Sequence, residues 1–353
     1  MTEIVAPEGW TCPAPLRHHD RVVLGHGGGG RLSADLIEHL LLPAYGSAAA
    51  ADLPDAAVVH AATDRLAFST DAYVVRPLYF PGGSIADLAV NGTINDLAMR
   101  GARPSALSVS LILEEGLPLA TLARVADDLG RAARAAGVDV VTGDTKVVGK
   151  GQADEVFIIT TGVGEIPDGV DIGPLRATPG DLVVVSGPIG AHGVAVLSER
   201  EGLTFGTDLV SDTAPLHEMV AAMLAVAGDD LHVLRDPTRG GLAASLCEIA
   251  ATARVGVEID ERAVPVPDQV AAACSMLGLD PMHVANEGRL VAMVAPARAQ
   301  AVVDAMRSLA DGADACVIGQ VTDDPRARVV VRTPLGVARI VDRPMGEQLP
   351  RIC

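Results

Sequence analysis

Several carboxylates stand at the edges of apolar runs, where a folded chain turns. Asp55 precedes Ala-Ala-Val-Val, and Asp71 lies in Phe-Ser-Thr-Asp-Ala-Tyr-Val-Val. Asp144 lies in Val-Val-Thr-Gly-Asp-Thr-Lys-Val-Val, and Asp236 opens Asp-Pro-Thr-Arg-Gly-Gly-Leu at a helix start. Taken singly, each is an ordinary turn residue or cap. Taken together they are hard oxygen ligands of the kind that hold magnesium against phosphates. Asp87, Asn91 and Asn95 recur every four residues along one expected helix, with Asp96 beside them. A solvated helix face favours long charged residues rather than asparagine and glycine, so the stripe points to a site.

Only Lys146 and Lys150 are lysine among the 27 basic side chains. A coding bias toward arginine accounts for most of this. Arginine cannot, however, replace lysine where a compact, titratable ammonium is required. Lys146, two residues beyond Asp144, is a cation beside the aspartates. Glu287, in Ala-Asn-Glu-Gly-Arg-Leu, falls in a turn just before a strand. Cys353 is the last residue, and a sulfur nucleophile on a mobile end suits a swinging carrier as readily as it suits an inert thiol.

Gly25 to Gly30 formally satisfies G-x-G-x-x-G. A dinucleotide fold would place an acidic residue at the end of the next strand, some twenty positions on, but that region is an Ala-rich loop, and Arg31-Leu32-Ser33 excludes a P-loop. Such a run is either a flexible linker or, at a helix start, a set of free amides for an anion.

The elements that must position these groups follow from hydrophobic periodicity. A helix is expected over 32–42, ended by Pro43, with strand-like runs at 57–61, 66–70 and 72–75. Ser84 with Asp87 forms a variant capping box for a helix to Met99. Strand 106–113, helix 118–136 and strands 138–141 and 156–162 complete one α/β domain. A Pro/Gly-rich passage from Ile166 to Gly180 marks a boundary. Strand 182–186, helices near 193–200, 214–226, 241–252 and 267–276, strands near 289–294 and 315–321 and a hairpin over 328–341 make a second. The expected divisions are a lead-in over 1–50, an N-terminal domain over 51–165, a C-terminal domain over 166–341 and a mobile tail over 342–353.

The chain of 353 residues is long enough for two cores, and 49% of it is apolar. A formal net charge of −18 repels nucleic acid and anionic lipid, so a polyanionic ligand needs a metal, glycine amides or a placed cation. No nucleic acid or membrane partner is expected. Five scattered cysteines without a CxxC, and no signal-peptide pattern, predict reduced thiols and a cytoplasmic protein.

With these residues in view the chain resembles the HypE family of hydrogenase expression/formation proteins. That family sits within the superfamily of aminoimidazole ribonucleotide synthetase and selenophosphate synthetase. The resemblance is carried by Phe68-Ser-Thr-Asp71, Phe80-Pro-Gly-Gly83, the Asn95-Asp96 helix, Thr142-Gly-Asp-Thr-Lys-Val-Val148, Ser186-Gly-Pro-Ile-Gly-Ala-His-Gly193, Asp236-Pro-Thr-Arg-Gly-Gly241, Asn286-Glu-Gly288 and the terminal Pro350-Arg-Ile-Cys353. It implies a two-domain α/β (α+β) fold whose N-terminal domains pair into a homodimer, with ATP near the inter-domain cleft. It also implies an ATP-dependent carbamoyl dehydratase: HypF carbamoylates Cys353, phosphorylation and loss of phosphate leave a thiocyanate, and the cyano group passes to iron on a HypC–HypD complex.

On this reading Gly27, Gly28, Gly29, Gly30, Asp71, Asn95, Asp96, Asp144, Thr145 and Asp236 bind the nucleotide. Asp55, Asp96, Asp144 and Asp236 hold magnesium, and Lys146 or Glu287 is the base. A sister kinase of the superfamily would have no use for the terminal cysteine. A non-catalytic scaffold of the maturation complex would dispense with magnesium and ATP.

Overall fold

The computed structural model describes residues 19–46, 56–203, 209–343, 349 and 351–353. Asp55, expected to ligate metal, lies outside the described residues, as do residues 1–18 and 47–50 of the lead-in. The chain first forms a short helix α1 (Arg31–Leu36), a π-turn over Ile37–Leu41 and α2 (Leu42–Tyr45). Pro43 does not end this helix as expected. The wide turn places the Leu42 N–H on the Ile37 carbonyl, so the chain passes the proline ring, which has no N–H to donate. Gly46, at φ +69°, stops it instead.

The N-terminal unit then runs β1 (Leu66–Tyr73), β2 (Tyr79–Phe80), β3 (Gly83–Ser84), α3 (Ile85–Ala98), β4 (Arg103–Glu114), α4 (Leu119–Ala135), β5 (Asp139–Val148) and β6 (Val156–Glu165). Residues 57–61 are irregular rather than a strand, and 66–73 is one strand rather than two pieces. Its sheet has the order β1-β6-β4-β5, with only β4 and β5 parallel. β5 runs seven residues further than its apolar start suggests, through Asp144 and Lys146, because the motif continues the pairing with β4 as far as Glu114.

Helix α3 starts where expected, with the Ser84 hydroxyl accepting the Asp87 N–H. All of its residues except Asp87 and Asp96 are buried. The helix lies between its own sheet and the C-terminal unit, which explains its small residues. A side chain at Gly92 would collide with the Tyr73 hydroxyl, 2.2 Å from the added carbon.

The C-terminal unit contains β7 (Leu182–Val185), α5 (Ala191–Glu201), α6 (His217–Ala227), β8 (Leu231–Arg235), α7 (Gly241–Ala253), β9 (Gly256–Asp260), α8 (Asp268–Leu277), β10 (Val291–Val294), α9 (Pro296–Arg307), β11 (Cys316–Thr322), β12 (Val329–Arg332) and β13 (Ala338–Val341). Its seven strands have the order β13-β12-β9-β11-β7-β10-β8. The expected hairpin is β12–β13. β8, β9 and α9 have no counterpart in the sequence-based expectation. The two strands have only five residues each, and α9 starts on a proline in an alanine-rich run.

Candidate active site

A cleft of about 640 Å³ between the two units is lined by Asp71, Tyr73, Asp96, Asp236, Glu287 and Cys353, among others. Each acidic group comes from a different element. Asp71 is on the edge strand β1, Asp96 in the last turn of α3, Asp236 just beyond β8, and Glu287 in the turn before β10. The negative end of a helix is the wrong place for a carboxylate, so Asp96 sits there at a cost that a bound cation would remove. The Ser69 hydroxyl donates to it at 2.5 Å, and the Tyr73 hydroxyl donates to Asp71 at 3.3 Å.

Burial and mutual repulsion dominate the electrostatics. Burial and the neighbouring Asp96 push Asp71 up to about 6. The same two causes push Asp236 up to about 7. Glu287 is raised well above the carboxylate range by burial, then by Asp236, Asp212 and Asp71. Arg239 offsets part of this at Asp71 and Glu287. Among the described residues no three acidic, imidazole or thiol groups converge into a ready metal cage.

The Glu287 turn is held by several hydrogen bonds. Asn286 accepts the Gly190 N–H at 2.7 Å and donates to the carbonyls of Pro237 and Val284. The Glu287 N–H donates to Asp212 at 3.0 Å. A side chain at Gly288 would overlap the Asp212 carbonyl, 1.8 Å from the added carbon.

The structure does not bring all the expected residues to this cleft. Asn95, expected to bind the nucleotide, is buried and does not line it. Its amide donates to the carbonyls of Ala214 and Glu287, and its oxygen accepts the Leu216 N–H. Asn91 likewise donates to Thr213. The polar stripe is thus a seam between the two units, which is why it needs short amides rather than long charges.

Asp144, Thr145 and Lys146 form a second group. β5 is the opposite edge of the sheet from β1, roughly 14 Å away across three strand spacings. Asp144 and Lys146 align with Ser110 and Ile112 on the face turned away from α3, while Thr145 is buried toward the helix side. The Lys146 Nζ lies 3.5 Å from Asp144, and both side chains are 63% exposed.

The glycine run belongs to this second group: a side chain at Gly27 would strike the Val147 nitrogen at 2.3 Å. Its amides are not all open to an anion as expected. The Gly28 N–H bonds to the Gly25 carbonyl and the Gly29 N–H to the Ser33 hydroxyl. Gly30 caps α1, and its carbonyl takes the Ala34 N–H.

The end of the chain is seated in the cleft. The Val74 and Arg76 N–H groups donate to the carbonyls of Cys353 and Arg351, at 3.2 and 3.4 Å, so the terminus runs antiparallel to the chain just beyond β1. The Arg351 guanidinium holds the Val74 carbonyl and Asp154. Arg235, Arg239 and Arg343 also line the cleft, and the sequence-based reading assigned them no role. Arg239 sits inside the quoted Asp236-to-Gly241 motif, so its signal was present.

This fold and cleft define a protein related to aminoimidazole ribonucleotide synthetase. The family model for the N-terminal domain of AIR synthase related proteins matches residues 53–166, and that for the C-terminal domain matches 178–332. The chain is 53% identical to "Carbamoyl dehydratase HypE" of Rhizobium leguminosarum bv. viciae over 94% of its own length and 95% of the relative's. A crystal structure of "Hydrogenase Maturation Protein HypE in complex with ATP" superposes with TM-score 0.90 at 46% identity, covering 94% of this chain and 99% of the other. A HypE chain from a HypE–HypF complex superposes with TM-score 0.78 at 42% identity, covering 89% and 100%. The chain belongs to the HypE family of carbamoyl dehydratases, enzymes of hydrogenase maturation. No described helix is long and apolar enough to cross a membrane.

Proposed function

We propose that this chain carries a carbamoyl group on the sulfur of Cys353 and dehydrates it with ATP to a thiocyanate. The cyano group then supplies the iron of nickel–iron hydrogenase. One observation carries the reading: the terminal cysteine lines the same cleft as Glu287, Asp71, Asp96 and Asp236. That arrangement suits a self-modifying carrier and has no purpose in a sister kinase.

Dehydration of a thiocarboxamide needs its oxygen made into a leaving group and both N–H protons removed. Phosphorylation of that oxygen achieves the first, and departure of phosphate completes the C≡N bond. The second requires a base. Glu287, with its raised affinity for a proton, is better matched to an amide proton than an ordinary carboxylate. Tyr73 orients Asp71, and the turn locked by Asn286 fixes where Glu287 points.

The cleft fits a divalent cation because burial, then mutual repulsion, raises the proton affinity of Asp71, Asp236 and Glu287, and the arginines that line it do not cancel this. Magnesium characteristically uses only one or two carboxylates, completing its shell with water and phosphate oxygens. One or two of Asp71, Asp96 and Asp236 would hold it. It would supply charge neutralisation for the phosphates that a chain of −18 otherwise repels.

Asp144, Thr145, Lys146 and the glycine run then require a second copy. The sheet face opposite α3 carries Phe68, 71% exposed, with the half-buried Phe157, Ile159 and Val163. Pairing two such faces in a homodimer would cover the apolar side chains and set one chain's β5 edge near the other's cleft. There Lys146 would act as second base or phosphate cation. The partners on this reading are HypF, which carbamoylates the exposed tail, and a HypC–HypD complex, which accepts the cyano group, all in the cytoplasm.

The test is the mass of the C-terminal peptide after incubation with HypF, carbamoyl phosphate and magnesium–ATP. A carbamoyl gain followed by loss of one water is expected. Carbamoylation without that loss, under conditions that consume ATP, would overturn the reading.

A further inference from the structure

If the terminus alternates between a partner's active site and its own cleft, something must hold it inward without holding it permanently. The main-chain pairing with Val74 and Arg76 lies just beyond the end of β1. A deeper contact is made by His192, in the first turn of α5, which is fully buried. Its Nε2 lies 2.7 Å from the carbonyl oxygen of Ile352, the residue before the reactive cysteine. A carbonyl only accepts, so Nε2 carries the proton and Nδ1 is the acceptor. The Ser211 hydroxyl, 2.8 Å away, is the donor that Nδ1 needs.

That tautomer is itself braced. The Ser211 hydroxyl accepts the Thr213 N–H at 3.1 Å, and the Ser211 N–H donates to the Pro81 carbonyl at 2.8 Å. The Phe80 ring stands edge-on to the imidazole with centroids 5.5 Å apart. Next to His192, an added carbon at Gly193 would come within 3.2 Å of the tail's Leu349 and 2.6 Å of Val284. The start of α5 is therefore shaped around the returning chain, and Ile352 is buried against it.

We infer that His192 is the positioning residue for the inward tail: it gives its Nε2 proton to the Ile352 carbonyl and so sets Cys353 in the cleft. The inference rests on reading Cys353 as the carrier, but its first test does not depend on dehydration chemistry. When the tail leaves, a buried N–H and a carbonyl lose each other, so the bond biases a two-position equilibrium. Burial holds the imidazole down to about 4, so the latch keeps one protonation state throughout the neutral range.

The full-length protein is alkylated with iodoacetamide in the absence of ATP, and Cys353 is followed by mass in the fragment released by cleavage after Glu347. Loss of one such bond corresponds to an exposure change of about tenfold. His192→Leu should raise the alkylation rate of Cys353 by about that factor while leaving the buried Cys274 unreactive. His192→Gln, whose amide N–H reaches a similar point, should restore most of the protection. Ser211→Ala, which frees the ring to take the other tautomer, should raise the rate several-fold and serves if His192→Leu does not fold. In carbamoylated protein, His192→Leu should slow dehydration while carbamoylation by HypF stays at least as fast. Unchanged Cys353 reactivity in folded His192→Leu or Ser211→Ala would overturn the inference. So would a parallel rise at Cys274, or equal loss of protection in the Gln and Leu variants.

Discussion

The side-chain amide of Asn95 donates to the main-chain carbonyl of Glu287 at 3.2 Å, joining helix α3 of one unit to the turn before β10 of the other. The same amide holds the Ala214 carbonyl at 3.0 Å, and its oxygen takes the Leu216 N–H at 2.8 Å. Asn95 thus acts as a fastener whose position fixes the distance between Asp96, one residue on, and Glu287.

Asn95→Leu leaves two carbonyls and one N–H buried without partners. Leaving such groups unpaired is costly, so a loss of about 3–5 kcal/mol is expected in urea unfolding. Asn95→Asp should not rescue it, because a carboxylate would face the same two carbonyls. An effect below about 1 kcal/mol in both variants would mean that water replaces the amide at the seam.

The acidic cleft sets a pH dependence with a definite sign. Asp71 and Asp236 keep their protons in the folded state up to about 6 and about 7, above the ordinary 3.8. Between about pH 4 and 7 the folded protein therefore holds protons that the unfolded chain has released. These two groups make stability fall as pH rises through that window. Binding a cation requires the ionised forms, so the gain in Tm on adding magnesium–ATP should be larger at pH 8 than at pH 5.5. Asp236→Asn should be more stable than the parent at pH 8 without ligand and gain less on adding it. Equal Tm gains at both pH values would remove these carboxylates from the cation site.

The separation of base from binding can be read at Glu287. Glu287→Gln keeps shape and the turn's main-chain bonds but removes the proton acceptor. Dehydration should fall by about 10²–10⁴-fold, the usual worth of a general base. ATP affinity by calorimetry should stay within about threefold of the parent. A normal dehydration rate would pass the role of base to another residue.

Much of this was legible in the residues, and the gaps have physical causes. The capping of α3 by Ser84 and the β12–β13 hairpin follow from patterns within a few residues, whereas the grouping of Asp71, Asp96, Asp236 and Glu287 was suggested by the family motifs and not by any local pattern. Asn95 misled because a short buried amide looks the same whether it faces a ligand or another domain's backbone. The division between Asp71 and Asp144 was invisible because strand order is not written in local periodicity. Both aspartates sit in similar strand motifs, yet β6 and β4 come between their strands. His192 stood in a quoted motif, but its partner at Ile352 is 160 positions away.

That division yields the sharpest test of the two-copy site. Within one chain, Lys146 faces away from α3 on β5, whereas Cys353 lies in a cleft on the β1 side. If each cleft is completed by the partner's β5 edge, Lys146 of one copy serves Cys353 of the other. Lys146→Arg alone should keep ATP binding but lose most dehydration, since arginine retains the charge without acting as a base. Cys353→Ala alone cannot be carbamoylated at the terminus. Co-expressed, the two variants form mixed dimers in which one cleft pairs an intact Cys353 with an intact partner Lys146. Roughly half of the pairs are mixed if association is random, so dehydration should return to about a quarter of the parental rate per total chain. If Lys146 acts on its own chain's cysteine, no cleft in the mixture holds both groups and activity stays at the level of Lys146→Arg. That second outcome, from dimers shown to be mixed by mass, would refute the composite site and require a large rearrangement within one chain.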